Sequence, residues 1–455
     1  MKITHGIAEF LVFIFSVILF YVSGNSFWSA FGIALFIIFS IRFFNNLGKT
    51  VDIRDLIVIL SILQWIIGPY LAYRFYISKI KTYDMVTPEN IYMSFVVPAT
   101  ALFSFGLFIP LKLKTFKTAQ TLSQITEIVL RYKNIDLFFI VLGLFFNIIW
   151  NSMPDNLKFI SFLIGNLHFV GLLFLLQNKE RKHRNIYIVL TFLFTFISSL
   201  NSGMFHDLIL WLGFMFMFIA FIKKFSFIKK LTIILSILTL IIILQTVKAQ
   251  FRDIIWKNNN TASSSEQKRV EIFYNLVSEN VGGNFFMSQK NINNLVSRLN
   301  QGWIISRIMY YVPAFEPFAN GETIYAGLTS SLIPRFIYEN KEKAGGTENF
   351  ERFTGHELQP GTSMNLSILG EAYANFGYNA IFFMFIFGLF LNYSYAVIKK
   401  KIIIRPTLLF FIPIIYLQVV KAETDFVTVL NHLVKASIFV VLIYWGLKTF
   451  FKIKF

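Results

Sequence analysis

Residues 227–249 read FIKKLTIILSILTLIIILQTVKA. An apolar run of about 20 residues, wound as a helix, rises about 30 Å, the thickness of a bilayer's hydrocarbon core. The flanking pair Lys229 and Lys230 marks the end held in the cytoplasm, where basic residues are retained. Working outward, the same pattern recurs along most of the chain. It predicts twelve spans, near residues 5–24, 26–44, 54–76, 89–111, 134–152, 156–178, 185–200, 204–222, 227–249, 371–398, 406–421 and 427–450. With 455 residues, 56% apolar, 15% charged and a mean hydropathy of +0.62, the chain has too little polar surface for a soluble globule. The expected fold class is an all-α polytopic membrane protein of about 12 transmembrane helices with one large extracytoplasmic loop. Its expected parts are a membrane region of about nine helices over 1–250, the polar loop over 251–370, and a membrane region of about three helices over 371–455. A second span follows the first at once, and Gly24-Asn25-Ser26 is a poor cleavage site, so the first segment is expected to remain as a span.

The charges orient this thread. Alternate breaks are basic and nearly free of acid: Arg42, Lys49 and Arg54; Lys112, Lys114, Lys117, Arg131 and Lys133; Lys179, Arg181, Lys182 and Arg184; Lys223, Lys224, Lys229 and Lys230; Lys399, Lys400, Lys401 and Arg405; then the C-terminal tail. These breaks and both termini are expected in the cytoplasm, which puts 251–370 on the other side. Most of the formal charge of +18 is then a topology signal, and nucleic acid is not expected as a partner. There is no cysteine for disulfide or thiol chemistry, and the scattered histidines offer no spacing suited to zinc, so no metal and no cofactor are expected. No GxxxxGK[ST] phosphate loop occurs, and a site outside the cytoplasm meets no nucleotide pool. Substrates must then come from the membrane or from outside, and a lipid-linked phosphate compound satisfies both conditions.

The loop carries 11 Lys+Arg and 11 Asp+Glu and is neutral overall. From Thr261 to Asn294 it is helix-prone. Ser263-Ser264-Ser265-Glu266 resembles a helix start, and Val270, Phe273, Leu276 and Val277 recur at helical spacing, predicting an amphipathic helix on the membrane surface or on the loop's own core. From Leu295 to Gly370, Pro313, Pro317, Gly321, Pro334, Gly345, Gly346, Gly355 and Gly361 punctuate the chain. Such punctuation is expected to break regular structure and bring scattered side chains together.

The phrase SLIPRFIYENK at 331–341, preceded by RLNQGW at 298–303 and GETIY at 321–325 and followed by GTSMNLSILGEAYANFG at 361–377, resembles the external loop of Wzy-type O-antigen polymerases, the oligosaccharide repeat-unit polymerases, in their Bacteroidetes-like form. Arg335 and Gly346 also match the Arg-ten-residues-Gly spacing of such loops. The likeness covers the loop and the opening of the tenth span, about a quarter of the chain. It implies a class C glycosyltransferase-like protein of the cell inner membrane with a periplasmic loop. Its activity would join undecaprenyl-diphosphate-linked oligosaccharide repeat units, with inversion at the anomeric carbon and without nucleotide or metal. Membrane lipids and a chain-length regulator are the further partners it implies. An O-antigen ligase and a lipid-linked glycan flippase are the alternatives. A transporter is expected to show internal repetition and short loops on both sides, whereas this chain concentrates its polarity in one late loop.

The chemistry of that reaction selects candidates. A departing diphosphate develops negative charge, which guanidinium groups stabilise by paired, charge-assisted hydrogen bonds. Arg298, Arg335 and Arg352 are the candidate clamp. Deprotonating an acceptor hydroxyl calls for a carboxylate or imidazole, and Glu322, His356 and Glu371 are the candidate bases. Glu371 opens a span, where a carboxylate is costly unless paired or used; pairing with an arginine explains it equally well. The turn Asn201-Ser202-Gly203-Met204-Phe205-His206-Asp207 lacks the arginine that many members of the family carry there; either His206 is expected to stand in its place or the substrate grip differs. Lys421-Ala422-Glu423-Thr424-Asp425 faces the same cavity or forms only a local ion pair.

Overall fold

The computed structural model describes residues 2–77, 83–111, 118–202, 205–257, 266–280, 289–333, 346–359 and 362–453. Every regular element among them is a helix, because hydrocarbon offers no partner to a backbone N–H or C=O left open. Nine helices among the described residues, from Phe27–Asn46 to Phe426–Phe450, are long and apolar enough to cross a membrane. A tenth crossing results if Ala119–Arg131 and Ile135–Ile149, bent by 84°, form one span. Two shorter apolar helices, Ile7–Val22 and Pro406–Val420, fall where further spans were expected. The protein is a polytopic membrane protein of the all-α class.

Close helix approach relies on missing side chains. Helices Glu89–Phe108 and Ala380–Ile402 touch backbone to backbone: a Cβ on Gly106 would stand 2.5 Å from the carbonyl oxygen of Phe385, and one on Gly388 would strike that of Phe103. Glycine permits this approach, and dispersion then holds helices that lipid does not push together. The rings of Phe103 and Phe387 stack at 6.1 Å across the same seam.

The basic breaks gather at one end. Lys399 Nζ lies 3.5 Å from Asp52 Oδ2, and Arg54 pairs with the same carboxylate at 2.6 Å while donating to Asn392 Oδ1 at 2.9 Å. Burial pushes the Asp52 carboxyl up, but the Arg54 hydrogen bond and the charges of Arg54 and Lys399 outweigh it and hold the group below its ordinary value. Gly48 packs on Lys230, and Lys179, Arg184 and Lys223 line one cavity.

The opposite end carries the described parts of 251–370. Gln289 Nε2 donates to Phe75 O, Thr87 N donates to Ser306 Oγ at 2.8 Å, and Arg269 Nη1 donates to Asn201 O at 2.8 Å. Helix Glu266–Asn280 covers its apolar face with protein: Phe273, Leu276 and Val277 pack on Phe205, Leu244, Val247 and Phe251 at the ends of neighbouring spans, while Val270 stays 44% exposed. Residues Ser263–Ser265 of its expected start lie outside the described residues. Beyond Leu295 the chain is more helical than its Pro and Gly content suggests, with helices Gly302–Tyr311, Glu322–Leu332 and Thr347–Thr354. Gly321 (φ 94°) and Gly346 (φ 64°) precede two of these helices in the left-handed region. The punctuation delimits short helices instead of abolishing them.

Candidate functional site

Three segments remote in sequence converge at the loop-bearing end. The span Phe227–Lys257 runs past its expected end and carries Lys248 and Arg252 one turn apart, hence on one face. Helix Gln289–Leu299 ends with Arg298 in its last turn, where the helix dipole favours a cation. The three cations lie within electrostatic reach of one another, and Glu423 lies within reach of Lys248. Among the described residues, no carboxylate stands within salt-bridge distance of Lys248 or Arg298.

Arg298 is placed by backbone packing. The span that begins at Ile53 loosens into a π-helix over Leu63–Ile67 and resumes at Gly68–Phe75 with Pro69 in its first turn. A proline there needs no intrahelical N–H, and a π-turn absorbs the register change. Gly68 then lies against the chain just after Arg298: a Cβ on it would stand 2.5 Å from the Leu299 carbonyl carbon and 2.8 Å from Asn300 Cα. Asn300 Oδ1 accepts from Trp303 N at 3.1 Å and starts the next helix.

The turn after Val420 closes the other side. Trp65 Nε1, on the π-helix, donates to Ala422 O at 3.1 Å. Lys421 Nζ lies 2.6 Å from Asp207 Oδ1, and His206 Nδ1 lies 3.5 Å from Glu423 Oε1. The turns at 201–207 and 421–425 thus meet through two cross-chain pairs, and the ion pair of Lys421 is not local. Gln64 Oε1, Gln245 Oε1 and His206 Nε2 are buried on these same segments without a hydrogen-bond partner among the described residues. Burying polar atoms without partners in a membrane bundle is costly. His432, in the last span, lies within electrostatic reach of Asp207 and Lys421 and bonds Ile414 O through Nε2 at 2.8 Å.

Glu371 stands one step behind this turn. It is 1% exposed; Thr323 Oγ1 donates to its Oε1 at 2.6 Å, and Phe426 N donates to its Oε2 at 2.7 Å. Asn375 Nδ2 donates to Thr323 Oγ1 at 2.8 Å and completes the clasp. Asp425, adjacent to Phe426, caps the last span by accepting from Thr428 N at 2.8 Å. Burial raises its carboxyl above the ordinary value against the pull of that hydrogen bond from Thr428. The Gly346 backbone abuts the same carboxylate, since a Cβ there would stand 3.2 Å from Asp425 Oδ2.

The remaining sequence candidates separate. Arg352 pairs with Glu316 at 2.6 Å and with Glu322 at 3.1 Å, so these two candidates meet each other as an ion pair. The Glu316 hydrogen bond, then Glu322, raise the Arg352 guanidinium above its ordinary value. His356 is half-buried with its ring 6.4 Å from that of Phe350. Arg335 lies outside the described residues. Lys248 falls inside the predicted span and Arg252 at the start of the polar loop, and neither was singled out, because the one read as part of an apolar run and the other as one of many loop charges. The available signal was a lysine at the close of a long apolar helix with a second cation four residues on. Among the described residues, no group of His, Asp and Glu stands close enough to hold a metal ion.

Residues 11–397 match a family described as a domain of unknown function (DUF8712). No curated protein and no solved structure matches the chain.

Proposed function

The chain belongs to the DUF8712 family, and from the loop phrases and the cation cluster we propose that it is a membrane glycosyltransferase of the Wzy kind, joining oligosaccharides carried on a polyprenol diphosphate. The observation that carries this proposal is the gathering of Lys248, Arg252 and Arg298 beside the His206–Glu423 pair, at the end of the bundle away from the basic breaks. In this proposal the spans number twelve, with Ile7–Val22 and Pro406–Val420 among them, in a class C-like arrangement. The basic end faces the cytoplasm and the 251–370 stretch faces the periplasm.

The step follows from the side chains. Lys248, Arg252 and Arg298 hold the donor's diphosphate, with Arg335 as a further arm. The acceptor hydroxyl oxygen attacks the anomeric carbon from the face opposite the diphosphate. The new C–O bond forms as the bond to the diphosphate oxygen breaks, and the electron pair leaves with the diphosphate. His206, oriented through Nδ1 by Glu423, takes the hydroxyl proton at Nε2. Cations aimed at the developing charge favour the transition state over the ground state. Glu371 acts as a positioning residue, fixing the turn that carries Lys421 and Glu423. Arg352, Glu316 and Glu322 hold the loop together.

Reconstitution of the purified protein with a polyprenyl-diphosphate-linked oligosaccharide tests this. Longer lipid-linked glycan is expected from the parent, and none from Lys248→Met combined with Arg298→Met in folded protein. Unchanged elongation by the double variant refutes the clamp. Transfer only to a lipid core acceptor supports the ligase instead, and solute crossing the vesicle wall without elongation supports a transporter.

A further inference from the structure

A cavity of about 620 Å³ opens at the basic end, between helices Thr118–Arg131, Leu167–Gln177, Arg184–Ser202 and His206–Lys223. Lys179, Arg184 and Lys223 stand around it. Among the described residues, none of the three has a carboxylate within salt-bridge distance. The inner wall is apolar, formed by Leu176, Ile188 and Ile219. A second hollow, of about 360 Å³, adjoins it and shares Lys179 and Arg184.

The deepest polar group is Gln177. It lines the cavity and is 5% exposed; its amide meets Thr126 Oγ1 at 3.0 Å, a hydroxyl that also donates to Leu122 O at 2.9 Å, so one end of the buried amide has no partner among the described residues whichever way the amide is turned. A buried amide end without a partner is expensive, about 1–3 kcal/mol, so Gln177 offers a polar contact to a molecule that enters the cavity. Three cations at the rim select an anion. Apolar walls on membrane-crossing helices make it the head of a lipid, because free phosphate has nothing to place against Leu176, Ile188 and Ile219. Asn185, also on the lining, adds a neutral polar side chain suited to a polyol headgroup.

We infer that this cavity binds the headgroup of an anionic glycerophospholipid of the phosphatidylglycerol class, with the phosphate among Lys179, Arg184 and Lys223 and the upper acyl chain along the apolar wall. The site lies on helices and breaks that the transfer chemistry does not use, so it stands independently of the proposed activity.

Native mass spectrometry of the delipidated full chain in detergent tests the site, with phosphatidylglycerol, phosphatidylcholine and inorganic phosphate as separate probes. One phosphatidylglycerol per chain should be retained in preference to phosphatidylcholine, and inorganic phosphate should not displace it. Each cation changed to glutamine should weaken retention about fivefold, and Lys179→Gln/Arg184→Gln/Lys223→Gln together about a hundredfold. Gln177→Leu should weaken it with all cations in place. Should the triple variant fail to fold, Lys223→Gln, at an exposed helix end, carries the same test. Parental retention by these variants, equal retention of phosphatidylcholine, or displacement by inorganic phosphate would each overturn the assignment.

Discussion

Gly68→Ala is the sharpest perturbation available, because it acts on the cation cluster without touching a charge. The added methyl would stand 2.5 Å from the carbonyl carbon of Leu299 and 2.8 Å from Asn300 Cα, both backbone atoms that no rotamer change can remove. Restoring an ordinary 3.4 Å contact requires the chain after Arg298 to retreat by about 1 Å. Overpacking of this kind costs about 1–3 kcal/mol, so the variant should melt at a lower temperature yet still fold. A misplacement of about 1 Å in a group that must meet a developing charge lowers turnover about a hundredfold. The assay measures glycan elongation and thermal melting on the same preparation. Gly213→Ala serves as the control, since nothing stands within 4 Å of its added Cβ. A Gly68→Ala protein that melts and elongates like the parent refutes the packing of Arg298 against the broken span.

Other perturbations separate structural from chemical roles. Asp207→Ala leaves Lys421, only 11% exposed, without its carboxylate and should destabilise by about 1–2 kcal/mol, discounted because Asp207 is 43% exposed; Lys421→Met together with Asp207→Asn should recover most of that loss, as measured by melting. Glu371→Gln turns one acceptor of the clasp into a donor facing Thr323 or Phe426 and should cost about 1–3 kcal/mol by the same measurement, with elongation falling in parallel. Asp425→Asn keeps the helix cap and removes an ionisation that burial disfavours. Because the folded carboxyl is raised, the proton stabilises the native state at low pH, and that contribution is lost as pH rises through the folded value. The variant should therefore gain on the parent as pH climbs above the ordinary carboxylate value of 3.8, and melting curves that stay parallel across that range refute it. Ser363→Cys, on an exposed stretch of a chain without native cysteine, should react with an impermeant thiol reagent in intact cells; reaction only after permeabilisation places the loop inside.

Hydropathy and charge are local quantities, and what depends on them was legible from the sequence: the all-α membrane class, the positions of the apolar helices, and the basic breaks that meet through Asp52 and Lys399. The importance of the 201–207 and 421–425 turns was also visible, because ionisable residues between spans are conspicuous. Their joining through Lys421–Asp207 and His206–Glu423 was not, since either turn could have closed on itself. Arg352 and Glu322 were singled out separately in the sequence, and their pairing with each other is visible only in three dimensions. Lys248 and Arg298 lie in different helices on either side of a long polar stretch, and no periodicity relates them. Arg298 is held in place by backbone packing at Gly68, and packing of that kind is a property of the folded bundle alone.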